Sequence, residues 1–141
     1  MKKWLKRIVL GLVAVLVALQ FVPVERNNPS ERDQPDAPAD VRLILQRACY
    51  DCHSNETHWP WYSQIAPISF LMAHDVAEGR RELNFSLWGN YDERRKARKL
   101  KEITEQVDNG EMPLWYYVVI HPEAQLSPGD RQLMTQWAKP R

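Results

Sequence analysis

Two cysteines and a histidine lie together in the segment Cys49-Tyr50-Asp51-Cys52-His53. Two thiols separated by two residues and followed at once by an imidazole form the pattern of covalent c-type haem attachment. Each thiol can add across one vinyl group of the porphyrin, and the imidazole then lies where a ring nitrogen can bind the iron. The pattern therefore predicts one haem c per chain, attached at Cys49 and Cys52, with His53 as the proximal iron ligand.

Other uses of the cysteine pair fit the segment less well. A disulfide or a thioredoxin-like redox pair also has two intervening residues, but it does not need His53 and usually adjoins a βαβ pattern that this chain lacks. A structural zinc site would need two more ligands at matching spacing, and the sequence contains no second cysteine pair.

A second axial ligand is predicted at Met112. It follows the helix-stopping Gly110 and precedes Pro113, which disfavours helical geometry at the residue before it. Met112 therefore lies on a short constrained loop, 59 residues after His53. Class I cytochromes c keep their ligand methionine at a similar place, before the last helix.

The other methionines and the histidines are weaker candidates. Met72 and Met134 fall on apolar helix stripes, where packing in the core is the ordinary role. His58 is too close to His53 in the chain to reach the opposite face of a haem. His74 and His121 lie in segments that are less constrained than the Met112 loop.

An aromatic cluster, Trp59-Pro60-Trp61-Tyr62, follows the cysteine motif. Large aromatic side chains bury much area, so the cluster suits packing against the porphyrin. An ordinary corner of the hydrophobic core is an equally good interpretation. We therefore predict haem packing by Trp59, Trp61 and Tyr62 with that alternative open.

Helical periodicity dominates the chain after residue 38 and predicts an all-α fold. One helix should follow a cap at Asp36 and run from Pro38 to about Ala48, the next should end at Gly79, and a charged one should span residues 92–109. The last helix should start at Ser127-Pro128 and pack across the first of these. Arg80 and Arg81 are candidates for the haem propionates, and the cations of residues 94–101 form either a docking patch or a solvated face.

The N-terminal 24 residues are apolar after four cations, Lys2, Lys3, Lys6 and Arg7. Such a segment is typical of an export signal. Counting from Trp4 to Val24 gives 21 residues, close to the ~20 that a helix needs to cross the hydrocarbon layer. Small residues at the positions that signal peptidase reads are not apparent near residues 20–24, which favours an uncleaved anchor over a cleaved signal. We therefore predict an uncleaved single-pass anchor over residues 1–24, with the rest of the chain in the periplasm.

Residues 25–37 are polar and rich in proline, so they are predicted to form a semi-extended linker that lifts the following domain off the membrane. Residues 38–141 then form one domain. The 117 residues after Val24 hold 15 Lys and Arg against 18 Asp and Glu. A net negative domain of this kind argues against nucleic-acid binding.

Several short segments together resemble a bacterial family of haem-binding domains, which are exported cytochrome-c-like proteins. The resemblance covers nearly everything after Pro38. It implies a class I cytochrome-c-like fold with one haem on Cys49 and Cys52 and with His53 as a ligand, but it implies no substrate. The matching segments are residues 49–55, 59–62, 65–67, 83–88, 110–113, Tyr117 and 121–127.

Two classes of function remain open. A membrane-tethered one-electron carrier needs a six-coordinate iron, which Met112 would complete, and a redox partner that the sequence does not identify. A peroxidase-like haem enzyme or a ligand sensor needs an open iron position and usually a distal acid–base group such as His58, His74 or His121. The placement of Met112 favours the carrier over the enzyme.

Overall fold

The computed structural model describes residues 2–139 and is predominantly helical. Helices account for 65% of the chain, and no strand occurs within the described range, which confirms the all-α prediction. Three short 3-10 turns lie at Trp61–Gln64, Trp88–Asn90 and Pro122–Ala124. The helices are α1 Lys2–Leu19, α2 Ala39–Ala48, α3 Tyr50–His53, α4 Ile68–Glu82, α5 Glu93–Asp108, α6 Trp115–Ile120 and α7 Pro128–Ala138.

The hydrophobic core lies where α7 packs against α2 and α5. Leu45 of α2 and Met134 of α7 are almost fully buried, and Val107 of α5 joins the same cluster. Burying each such side chain stabilises the fold by about 1.5–3 kcal/mol. An ion pair of 2.7 Å between Arg47 and Asp130 also joins α2 to α7. The predicted crossing of the last helix over the first helix of the domain is therefore confirmed.

Local capping explains where two of these helices begin. The Asp92 side chain accepts a hydrogen bond from the Arg95 backbone at 2.7 Å and caps α5. Ser127 and Asp130 form a reciprocal capping box at the start of α7, as the Ser-Pro sequence predicts. The predicted cap at Asp36 is wrong, because α2 begins after Pro38 without a side-chain cap.

Gly79 does not end α4, contrary to the sequence prediction. The helix continues to Glu82, and Gly79 is buried within it. A Cβ atom at this position would lie 2.5 Å from the backbone oxygen of Cys52. The glycine therefore permits α4 to pack directly against α3, the helix that carries the cysteine motif.

The N-terminal helix is shorter than the predicted 21-residue span. It ends at Leu19, before Pro23, whose ring cannot continue a helix. The Gln20 side chain then bonds the backbone of Ala66 at the base of α4 in both directions, at 3.0 and 3.2 Å. The four cations occupy the first third of α1. None of the described helices is long and apolar enough to cross a membrane.

The predicted linker lies against the domain instead of extending away from it. The Asp33 amide donates to the Ser86 carbonyl at 2.9 Å, and the Trp88 amide donates to the Asp33 carbonyl at 3.0 Å. Pro35 and Ala37 are buried. This segment therefore contributes to the packing of the domain although its composition is polar.

Candidate functional site

A cavity of about 490 Å³ opens between α3, α4, α5 and the loop that precedes α6. Its volume lies within the range of roughly 300–1,000 Å³ that is usual for small-molecule and cofactor sites. Cys49, Cys52, His53 and Met112 all line it. The structure thus brings together, around one space, four residues that are distributed over 64 positions of the sequence.

The first wall of the cavity is formed by α3, which continues almost directly from α2. The Cys49 amide still donates to the Leu45 carbonyl at 2.9 Å, and the His53 amide donates to the Cys49 carbonyl at the same distance. Residues three positions apart on a helix share a face. The helical turn therefore directs both cysteine side chains toward the same cavity.

The His53 imidazole is held by two backbone carbonyls of α4 and the residue after it. Its Nδ1 atom lies 2.9 Å from the Gly79 oxygen and 3.1 Å from the Leu83 oxygen. Because both partners are acceptors, Nδ1 carries the proton and Nε2 keeps its lone pair. Burial lowers the pKa of His53, so the ring is neutral at neutral pH. A neutral imidazole with one oriented lone pair is the form that binds a metal.

Cys49 and Cys52 are free, half-buried thiols. Enclosure by the protein raises the pKa of each to about 12, and the negative groups nearby, Asp51 and Asp75 in the case of Cys52, add to the effect. A thioredoxin-like redox pair instead lowers the pKa of its attacking thiol so that a thiolate is present. The electrostatics of this site are therefore unlike those of a disulfide oxidoreductase.

A second wall of the cavity includes the Met112 loop. The amides of Glu111 and Met112 both donate to the Gln106 carbonyl, at 3.0 and 3.2 Å. Gly110, at a φ of 72°, makes the tight turn between α5 and this loop. These bonds hold the backbone of the loop, and the half-buried Met112 side chain lines the cavity.

The competing ligand candidates do not line the cavity. Met134 is 1% exposed in the core, and Met72 lies on α4 away from the lining. His58 and His74 are exposed. His121 has both ring nitrogens engaged, with the Tyr62 hydroxyl at 2.5 Å and the Glu123 carboxylate at 3.1 Å.

The aromatic residues predicted to pack on a haem, Trp59, Trp61 and Tyr62, lie outside the cavity lining. Trp61 is 74% exposed. Phe85 and Tyr117 line the cavity instead, and the Tyr117 hydroxyl donates to the Asp51 carboxylate at 2.6 Å. Proximity to the cysteines in the sequence therefore did not identify the aromatic residues of the cavity. The chain leaves the cavity after His53, and Phe85 and Tyr117 come from later segments that pack against it.

Arg80 and Arg81 also lie outside the lining. Arg80 donates to the Ser54 carbonyl at 2.8 Å and to the Thr57 hydroxyl at 2.9 Å, and its other bonds reach Asn27 and Asn28. It therefore fastens the segment after α1 to the turn after the cysteine motif. Arg81 pairs with Glu78 on the surface.

The cations of α5 are divided between surface and cavity. Lys96, Arg98 and Lys101 each form an ion pair with an acid on the same helix, which favours the solvated-face interpretation over a docking patch. Lys99 is different because it is buried and lines the cavity. Lys99 lies four residues before Ile103, on the buried face of α5, and this spacing was the sequence signal that could have identified it as a cavity residue.

The residues at the cavity fit a haem. Two thiols, an imidazole with a free nitrogen and a thioether all line it, and the rest of its surface is largely apolar. A family model described as a haem-binding domain matches residues 14–140, which is most of the chain. No curated protein and no solved structure gives a significant match. The chain therefore belongs to the haem-binding domain family, as the sequence resemblance predicts.

Proposed function

We propose that the chain is a mono-haem c-type cytochrome that carries single electrons. The observation that supports this proposal is that Cys49, Cys52, His53 and Met112 line the same cavity. The first three have the spacing of c-type attachment, and Met112 is the methionine that lines the cavity with them, which supports it as the second axial ligand. Iron in this site would supply the one-electron chemistry.

The cysteines attach the porphyrin in this proposal. Each S–H bond would add across one vinyl double bond, so that sulfur would bond to one carbon and the hydrogen would pass to the other. No electrons are gained or lost overall, and no leaving group is released. The packing of α3 against Gly79 would then hold the attached edge against the first wall.

The two residues that would hold the iron, His53 and Met112, come from walls that are built differently. His53 presents Nε2 because its Nδ1–H is bonded to the Gly79 and Leu83 carbonyls. Met112 supplies a neutral thioether, which favours reduced iron and so raises the reduction potential. With both ligands supplied by the protein, a haem iron would have no open position for a substrate, which suits an electron carrier better than a peroxidase-like enzyme.

We further propose that the domain works on the periplasmic side of the bacterial cytoplasmic membrane and is held there through α1. The four N-terminal cations and the apolar run that follows are typical of export. In the structure α1 buries none of its residues, and its apolar side chains are exposed. Membrane association would cover them. Fractionation of the full chain with washed membranes checks this part independently of the haem.

A Met112→Leu variant tests the carrier assignment, with Met72→Leu as the matched control. Leucine keeps the volume and apolar character of methionine but removes the sulfur ligand. Met112→Leu should lose the sulfur-to-iron charge-transfer band of the oxidised protein, lower its reduction potential and allow carbon monoxide to bind the reduced protein. Met72→Leu should change none of these properties.

Two results would contradict the carrier assignment. Retention of the charge-transfer band and potential by Met112→Leu would show that another residue is the ligand. Rapid carbon monoxide binding by the unmodified, undenatured protein would show an open iron position and would favour a haem enzyme or ligand sensor.

A further inference from the structure

Lys99 is buried in the wall of an apolar cavity, which is an unusual place for a lysine. It is 8% exposed and lines the cavity on the same face of α5 as Ile103 and Gln106. A lysine is almost never this buried unless it is paired, because its ammonium group loses hydration. A specific role at the cavity would account for the cost of this placement.

The charges around the cavity make Lys99 distinctive. Among the described residues that line it, Lys99 is the only lysine or arginine. Its ammonium lies 2.5 Å from one carboxylate oxygen of Glu102. The acids of the lining are Asp51, Asp75, Glu78, Glu82 and Glu102.

The pair with Glu102 does not explain the burial. Lys101 and Glu105 form a comparable pair on the exposed side of the same helix, where the Lys101 side chain is 76% exposed. An ion pair that served only the helix would be satisfied there, and it would contribute about 0.3–0.5 kcal/mol. We therefore attribute the burial of Lys99 to a role in the cavity and not to stabilisation of α5.

A haem brings two negative groups into such a cavity. Its vinyl and propionate groups lie on different edges of the macrocycle, so attachment of the vinyl edge to Cys49 and Cys52 turns the propionates toward other walls. One of those walls is the face of α5 that carries Lys99. A carboxylate in an apolar site is stabilised by a charge-assisted hydrogen bond.

We propose that Lys99 binds a haem propionate, an inference that rests on the proposed haem site. In the structure the Lys99 ammonium pairs with Glu102, and in the proposal the propionate replaces Glu102 as its partner. Glu102 has an alternative partner, because its other carboxylate oxygen lies 3.7 Å from the Arg98 guanidinium. Its side chain is 44% exposed, so it can turn toward solvent. Neither carboxylate is then left buried without a cation.

The first test uses the haem-loaded full chain with Lys99→Gln, Lys99→Arg and Lys101→Gln. Loss of the Lys99 cation leaves the propionate charge uncompensated, which stabilises oxidised iron and lowers the reduction potential. Lys99→Arg should restore the potential toward the original value, and Lys101→Gln should leave it unchanged. An unaltered potential in Lys99→Gln, with the haem still covalently held, would overturn the proposal.

The second test separates a propionate contact from a general effect of the cation. In the full chain with Cys49→Ala and Cys52→Ala, binding of haem is compared with binding of haem dimethyl ester, whose propionates carry no charge. Adding Lys99→Gln should weaken haem binding at least tenfold, about 1.4 kcal/mol, and leave ester binding unchanged. Equal weakening for both ligands would show that Lys99 acts only through packing and would overturn the proposal.

These outcomes are distinct from failure of the proposed function. Haem that is released from the unmodified chain under denaturing conditions would contradict covalent attachment and leave the Lys99 comparison valid for a non-covalent haem. If the cysteine-free chain does not bind haem, the potentials of the covalently loaded variants decide the Lys99 proposal.

Discussion

The wall that carries His53 and the wall that carries Met112 differ in how their side chains are held. On the first wall, two backbone carbonyls fix the imidazole, and α3 touches α4 so closely that only glycine fits at position 79. On the second wall, backbone hydrogen bonds hold the loop around Met112, while the thioether itself has no such anchor.

This difference means that the His53 ring is held in one orientation, whereas the Met112 side chain can adapt its conformation. The nitrogen of His53 is oriented by the fold itself, since the Gly79 and Leu83 carbonyls belong to α4 and its end. Methionine is flexible and tolerates substitution in irregular spaces. Changes on the first wall should therefore affect folding and haem together, whereas changes at Met112 should affect the haem spectrum with little effect on folding.

The largest stability effect should come from Gly79→Ala on the first wall. The new Cβ would meet the Cys52 backbone oxygen at 2.5 Å, and backbone atoms cannot move aside as a flexible side chain can. Such overpacking costs about 1–3 kcal/mol. The melting temperature of the haem-loaded chain should fall by several degrees, and the spectrum around the iron should change.

Gly129→Ala is the matched control, because its nearest neighbouring atom, the Ser127 hydroxyl, lies at an ordinary 3.7 Å. Alanine within the first turn of α7 should be neutral or slightly stabilising. Equal melting temperatures for the Gly79 and Gly129 variants would mean that the first wall is no more tightly packed than the rest of the molecule.

A smaller loss should follow Arg80→Gln, which changes the outer side of the same wall. The substitution removes the charged hydrogen bonds to Ser54 and Thr57 and those to the segment after α1. We expect a loss of about 1.5 kcal/mol and faster hydrogen exchange in residues 26–33. Arg81→Gln, at a surface ion pair, should cost less than about 1 kcal/mol. Unchanged exchange in the Arg80 variant would show that the segment is held without it.

The smallest effect is expected for Tyr117→Phe, which cuts a bond between the two walls. The Tyr117 hydroxyl donates to Asp51 at 2.6 Å, and its loss should cost about 1 kcal/mol at neutral pH. Burial, followed by the Asp51 carboxylate, raises the pKa of Tyr117 above its usual range. Its stabilisation is therefore complete below pH ~10 and is lost as the pH rises toward the folded-state pKa.

The free energy of unfolding, measured between pH 7 and 11, checks whether Tyr117 makes the chain less stable as the pH rises. The unmodified chain should lose stability more steeply above pH ~10 than the Tyr117→Phe variant does. Parallel curves would show that Tyr117 releases its proton equally easily in the folded and unfolded chain, and that the bond to Asp51 does not link the walls.

The all-α fold and the cap of the last helix were accessible from sequence, because they depend on local signals. Helical periodicity placed Val41, Ile44 and Leu45 on one face, and these residues are buried in the structure. The capping box at Ser127 lies within four consecutive residues. Neither inference required knowledge of distant contacts.

The sequence could not show the roles that depend on distant contacts. In the sequence Gly79 looks like a helix stop, and only the packing of α3 against it shows why a glycine is needed. Lys99 looks like the solvated cations beside it, and only the structure shows that it lines the cavity. Arg80 was predicted near the propionates, but it binds a segment more than 50 residues earlier in the chain. The cysteine motif is a local pattern, so its prediction of covalent attachment depended on no distant contact.

The most direct test of the central claim is the mass of the protein after denaturation. The full chain is produced in bacteria that attach c-type haem, denatured, and measured alongside the Cys49→Ala/Cys52→Ala variant. We predict that the unmodified polypeptide retains one haem covalently and that the variant retains none. Haem-free polypeptide as the main species from a preparation that bound haem before denaturation would contradict covalent attachment at these cysteines.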